Sequence, residues 1–182
     1  MSLKKSEIKK MVRQAIDEKR WLIRTSNDGE AYNGFRWNGI GEWTEAPDWS
    51  PEPVCGGGLH GQGAVASGEL VVNRRGRVEF CIVDGPQVAI GHKQKSPRAM
   101  ILLIDDLSKV KGLSVGGSLD LSGCTGLTSL PEGLSVGESL YLSGCTGLTS
   151  LPEGLSVGGS LDLSGCTGLT SLPEGLERKA FR

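Results

Sequence analysis

The chain has 182 residues, 28 of them glycine and nine aromatic, and a net charge of −1. It contains no run of 18 apolar residues, so no membrane-spanning helix is expected. Glycine follows no strict Gly-X-Y period, which excludes collagen, and 37% hydrophobic content with so small a net charge argues against disorder.

The first element expected is a helix over Ser6–Arg20, with Ser6 as its cap. Ile8, Met11, Val12, Ala15 and Ile16 fall on one face of it. Residues 1–24 carry eight basic and three acidic groups, which suits a solvated face or a basic arm. Met1–Lys5 has no apolar h-region, so no secretory signal is expected and a reducing cytoplasm is the expected compartment. Five cysteines, three of them at one fixed spacing, do not read as a disulfide framework.

Trp21–Arg24 reads as a strand and Asn27-Asp28-Gly29 as a turn. Tyr32, Phe35, Trp37, Trp43 and Trp49 then crowd into 18 residues broken by Gly and Pro. Such rings form either the core of a small loop-rich domain or a ligand platform. The string Cys55-Gly-Gly-Gly-Leu-His60-Gly-Gln-Gly63 reads as a glycine-rich loop where backbone can approach a ligand closely. It lacks the Lys-Ser/Thr of a phosphate loop. Cys55 and His60 have the chemistry of a nucleophile and base, with no third orienting group identifiable. Cys55, His60, Cys81 and His92 are zinc-ligand types, but their gaps are irregular and no Cys-x-x-Cys knuckle is present, so no metal and no cofactor are expected.

Tyr32-Asn-Gly-Phe35-x-Trp37, Glu45-Ala-Pro-Asp-Trp49 and Cys55–Gly61 together give residues 20–65 a likeness. The segment resembles a module at the front of uncharacterised bacterial and phage proteins, and the resemblance implies no activity. The Gly-Leu-His string is also similar to the second motif region of ADP-ribosyltransferase-like folds, but no aromatic-Ser run or late catalytic Glu accompanies it. Glu69–Asn73, Arg77–Val83 and Gln87–Ile90 read as further strands, with Asn73–Arg77 the basic tip of a hairpin. No recognised motif turns these cations into a nucleic-acid site.

Met100–Asp105 reads as a buried strand. Residues 99–112 read as a degenerate first coil of a repeating region, joined to the N-terminal part by a shared sheet. Leu113–Gly133, Leu134–Gly154 and Leu155–Gly175 are three copies of one 21-residue unit. The outer two are identical, and the middle one differs only at Glu138 and Tyr141. In each, Ser-Leu-Asp/Tyr-Leu-Ser alternates as a short strand and Pro-Glu-Gly turns the chain back. One copy cannot bury its own leucines. Copies stacked with parallel strands about 4.8 Å apart can. Cys124, Cys145 and Cys166 then form one inward ladder, and Leu119, Leu140 and Leu161 another.

The pattern Leu119-x-Leu121-x-x-Cys124-x-x-Leu127-x-x-Leu130-Pro131, twice repeated, resembles the Cys-containing version of the leucine-rich repeat family. The resemblance implies a curved solenoid that binds proteins on its strand-lined side. That side would show Asp120, Tyr141 and Asp162 in one row, and Ser122, Ser143 and Ser164 in another, with Glu138 near the strand start. Residues 113–175 hold six acidic groups and no Lys or Arg, so nucleic-acid contact through them is not expected.

The expected fold is therefore an α+β N-terminal domain, 1–98, joined to a short leucine-rich-repeat solenoid with a parallel β-sheet, 99–182. The expected function is non-enzymatic protein–protein interaction through the repeat surface. The alternative is an N-terminal ligand-binding or enzymatic domain at Cys55 and His60, targeted by the solenoid. Leu176–Arg182 is too short to cap an apolar edge well, so a homo-oligomer through the C-terminal edge is a further expectation.

Overall fold

The computed structural model describes residues 3–26, 30, 35–55, 57–64, 76–91 and 93–173. The expected turn at 27–29, the strand at 69–73, the basic hairpin tip before Arg77, and residues Tyr32, His92 and Phe181 lie outside them.

Helix α1 spans Lys5–Asp17, three residues short of the expected end. Ser6 lies inside its first turn and is not the cap. Glu7 instead reaches back and accepts a hydrogen bond from the Lys4 amide at 2.7 Å. Lys19, in the left-handed region at φ 54°, ends the helix, and the Arg20 amide bonds back to the Ala15 carbonyl at 2.8 Å. The expected apolar face is the buried one: Val12 and Ala15 are enclosed, with Ile8, Met11 and Ile16 packed around them.

Seven strands follow: β1 Trp21–Ser26, β2 Trp43–Glu45, β3 Leu59–Gly63, β4 Arg77–Asp84, β5 Val88–Ile90, β6 Lys93–Ser96 and β7 Arg98–Ile104. They form one antiparallel sheet in the order β2-β7-β4-β1-β3-β6-β5. Strand β3 corrects the glycine-rich loop reading, because His60 sits on a paired strand opposite Lys95 and only the segment up to Gly58 is a loop.

Alternation along the central strands splits the apolar side chains between two faces. Trp21, Ile23, Val78, Phe80, Met100 and Leu102 pack under α1. Leu22, Cys81, Val83, Ala99 and Ile101 pack under the loop that carries Trp37. On this second face Arg24 and Glu79, direct cross-strand partners, form a buried ion pair at 3.0 Å. Ser26 Oγ and Arg77 Nε donate to the other Glu79 oxygen at 2.6 and 2.8 Å, and Trp37 lies 4.0 Å from the Arg24 guanidinium. Glu79 Oε1 thus has two donors, while Oε2 meets Arg24 through the ion pair.

At Asp105 the chain leaves the sheet and begins to coil. Asp106 bridges to Ser129 and Lys111 to Glu132, both in parallel, so residues 105–112 stack on the first full copy. Strand β7 stays wholly within the antiparallel sheet, so the expected shared sheet is replaced by these bridges and by one continuous core. That core runs from Val12 through Phe80 and Leu107 to Cys166.

Each copy contributes two strands of two residues. Strands β8 Ser114–Val115, β10 Ser135–Val136 and β12 Ser156–Val157 form one parallel sheet, and β9 Leu119–Asp120, β11 Leu140–Tyr141 and β13 Leu161–Asp162 another. The region is thus solenoid-like, with a second ladder the pattern did not suggest and strands shorter than the five residues expected. Cys124, Cys145 and the leucines around them are sealed inside, while Leu161, Leu163, Leu169 and Leu172 of the third copy are only partly buried. No helix among the described residues is long and apolar enough to cross a membrane.

Candidate functional site

The strand ladder β9-β11-β13 places Tyr141 directly between Asp120 and Asp162. All three side chains are half-buried. Neighbouring parallel strands lie about 4.8 Å apart, so the tyrosine ring has a carboxylate on each side. The aspartates are held locally. Asp120 Oδ1 accepts from the Ser122 amide at 2.8 Å, and Asp162 Oδ1 from the Ser164 amide at 2.9 Å. Hydrogen bonds from Ser164 hold the Asp162 carboxyl below its ordinary value. Tyr141 offers no such acceptor, so the middle copy exchanges a turn-closing carboxylate for the only aromatic ring of the repeats.

Ser122, Ser143 and Ser164 follow in a parallel row, the first two half-buried and the last exposed. Glu138 is exposed beside the strand start, but its carboxylate is engaged, accepting from Ser118 Oγ at 3.1 Å. That bond belongs to a device the repeat pattern does not reveal. Ser118 Oγ accepts from the Ser139 amide at 3.2 Å, and Ser139 Oγ from the Ser160 amide at 3.1 Å, so one serine per copy ties each coil to the next. Its only sequence signal is a serine at fixed register before the inward leucine, and the partner is visible only once the copies stack.

Two of the interior cysteines are hydrogen-bonded to the preceding coil. Cys145 Sγ donates to the Leu121 carbonyl at 3.1 Å and Cys166 Sγ to the Leu142 carbonyl at 3.0 Å. Burial pushes the Cys124 thiol up to about 12 and the Cys145 thiol up to about 11. A thiol so far above neutral pH is a weak donor rather than a thiolate.

Cys55 and His60 stand differently. Cys55 is exposed in the loop, while His60 is half-buried on β3. No hydrogen bond joins them among the described residues, and His60 Nε2 is buried without a partner there. Burial, with Lys93 and Lys95 nearby, holds the His60 imidazole below its ordinary value; Asp48 opposes the shift more weakly. Gly57, at φ 57°, brings the loop back so closely that a side chain there would meet the Asp48 carbonyl at 2.7 Å. Trp49 and the fully buried Lys95 close the same loop, Lys95 Nζ donating to the Val54 carbonyl at 3.1 Å.

Of the zinc-type set, His92 lies outside the described residues. Cys81 is sealed in the sheet core, and no group of three or more His, Cys, Asp or Glu is placed to hold a metal among the described residues. The described members of the aromatic cluster pack against the sheet. Trp37 is buried, Phe35 packs beside it, and Trp43 lies 4.8 Å from the Arg98 guanidinium.

Compared with known proteins, the chain matches no family model, no curated protein and no solved structure.

Proposed function

We propose that the repeats form a short leucine-rich-repeat solenoid that acts as a non-enzymatic protein-binding module, with the strand-lined face as its recognition surface. The observation that carries this reading is Tyr141 held in register between Asp120 and Asp162 on the strand ladder. A half-buried tyrosine is a good interface anchor, because it adds contact area at little entropic cost. The flanking carboxylates, in a region without Lys or Arg, favour a partner that presents a basic side chain to the ring. Ser122, Ser143 and Ser164 add hydroxyls along one edge.

The test is quantitative capture of binding proteins by the full chain and by Tyr141→Asp, which makes the middle copy match its neighbours there. Loss of the captured partner with circular dichroism unchanged supports the reading. Equal capture by both proteins removes Tyr141 from the interface.

Self-association is a separable proposal, favoured by the partial exposure of Leu161, Leu163, Leu169 and Leu172 where their counterparts in the first copy are sealed. Sedimentation at rising concentration decides it: a dimer supports pairing of the third-copy edge, and a monomer throughout rejects it.

A further inference from the structure

A groove of about 550 Å³ crosses the stack at the Ser-Leu-Pro-Glu turns, away from the Tyr141 ladder. Ser150 lies ten residues after Leu140 in a 21-residue coil, hence on the other side of it. The column Ser108, Ser129, Ser150 and Ser171 lines it. Glu132 and Glu153 line it as well, together with Leu130 and the Leu-Pro steps Leu151-Pro152 and Leu172-Pro173.

The groove has a cause in the sequence. Proline has no N–H to give to a ladder. The last two copies are joined at Thr170 N to Thr149 O, 3.4 Å, but no backbone hydrogen bond joins Ser150–Pro152 to Ser171–Pro173 among the described residues. Between the first coil and the first copy, where no proline faces proline, Leu107 and Glu132 both donate across the junction.

Among the described residues, cations reach the groove only at its first coil, where Lys109 Nζ donates to Ser108 Oγ at 3.1 Å. Lys111 pairs with Glu132 at one end. Glu153 is exposed and has no ion pair among the described residues, and no Lys or Arg occurs between residues 113 and 173. Four coils at about 4.8 Å per step span about 14 Å, the length of roughly four extended residues.

We propose that this groove holds an extended segment of a partner protein with Lys or Arg at alternate positions. The aliphatic stems lie on the Leu-Pro steps. One charged end reaches Glu153, a second joins Lys111 at Glu132, and the Ser150 and Ser171 hydroxyls accept from the peptide N–H groups. This surface is separate from the Tyr141 face, and either can fail without the other.

The test uses the full chain with two fluorescent probes, acetyl-Lys-Leu-Lys-Leu-Lys-amide and its Glu-for-Lys counterpart. Saturable binding of the lysine peptide alone is expected, with amide shifts at Ser129, Ser150, Leu151 and Ser171. Glu153→Lys should weaken binding about tenfold, and the bulky Ser150→Trp, at an exposed position, should weaken it as much. The double variant Asp120→Asn/Asp162→Asn should leave it within about twofold. Absence of saturable binding overturns the proposal, as do shifts centred on Tyr141 or indifference to Glu153→Lys. Occupancy seen only as self-association assigns the groove to a second copy and also overturns it.

Discussion

Asp105 and Val78 are joined by two hydrogen bonds: the Val78 amide donates to Asp105 Oδ1 at 2.7 Å, and the Asp105 amide donates to the Val78 carbonyl at 2.8 Å. The same aspartate holds the repeats, since its carbonyl accepts from the Thr128 amide at 2.8 Å and from Thr128 Oγ1 at 3.1 Å. Its φ of 59° turns the chain out of the sheet and into the first coil. One residue therefore fastens β4, the end of β7 and the first copy together.

Asp105→Ala should destabilise the protein by about 1–3 kcal/mol in chemical denaturation, from a stranded Val78 amide and a left-handed backbone with nothing to hold it. Asp105→Asn keeps an acceptor and tolerates that backbone. Burial raises the Asp105 carboxyl above its ordinary value, so the charged form is the costly one. The asparagine variant is expected within about 1 kcal/mol of the native chain. Equal losses for the two variants would show that the charge, not the hydrogen bond, matters.

Equivalent glycines of the three copies should differ in tolerance by position. A side chain at Gly137 would overlap the Gly116 carbonyl oxygen, and one at Gly158 the Gly137 carbonyl oxygen, whereas Gly116 faces open space. Gly137→Ala and Gly158→Ala should each cost about 1–3 kcal/mol by overpacking. Gly116→Ala should be neutral or slightly stabilising. Thermal melts of the three variants check this, and a loss at Gly116 equal to that at Gly137 would contradict the stacking register.

The thiols should divide by burial. In native protein one cysteine, Cys55, should react promptly with a disulfide reagent, and the four buried ones only on unfolding. Stability should also fall at high pH. The folded Cys124 and Cys145 thiols are raised to about 12 and about 11 from 9.0, so the unfolded chain releases protons first. Their contribution is complete below pH 9 and is lost as pH climbs through those values. Denaturation midpoints from pH 8 to 11 report it.

Acid should loosen the junction. Hydrogen bonds from the Ser108 side chain, from Ser129 Oγ at 2.5 Å and from the Ser108 amide at 3.0 Å hold the Asp106 carboxyl down at about 2. A depressed carboxyl contributes above its unfolded value and loses that contribution as pH falls toward 2. Asp106→Asn should flatten the stability profile between pH 4 and 2. An unchanged profile would show that the Asp106 bonds form equally in the unfolded chain.

The repeat was legible because three registers of Leu and Cys agree, and stacking follows from the need to bury them. The ladder residues Asp120, Tyr141 and Asp162 followed from the same alternation. Strands β3 and β6 were not legible: His60, Gln62, Lys93, Gln94 and Lys95 give no apolar alternation, yet Gln94 and Lys95 are fully buried and hydrogen-bonded. Two-residue strands such as Ser114–Val115 are too short to leave a period. The proline-lined groove and the serine ties depend on what the neighbouring coil presents, and a single copy read alone does not show them.

The proposed recognition surface is the Tyr141 ladder, not the glycine-rich loop. Amide hydrogen exchange of the full chain, alone and with a captured partner, tests it most directly. Slowed exchange is expected across Leu119–Leu121, Leu140–Leu142 and Leu161–Leu163, with Ser50–His60 unchanged. Protection confined to Ser50–His60, with the ladder unaffected, would contradict it.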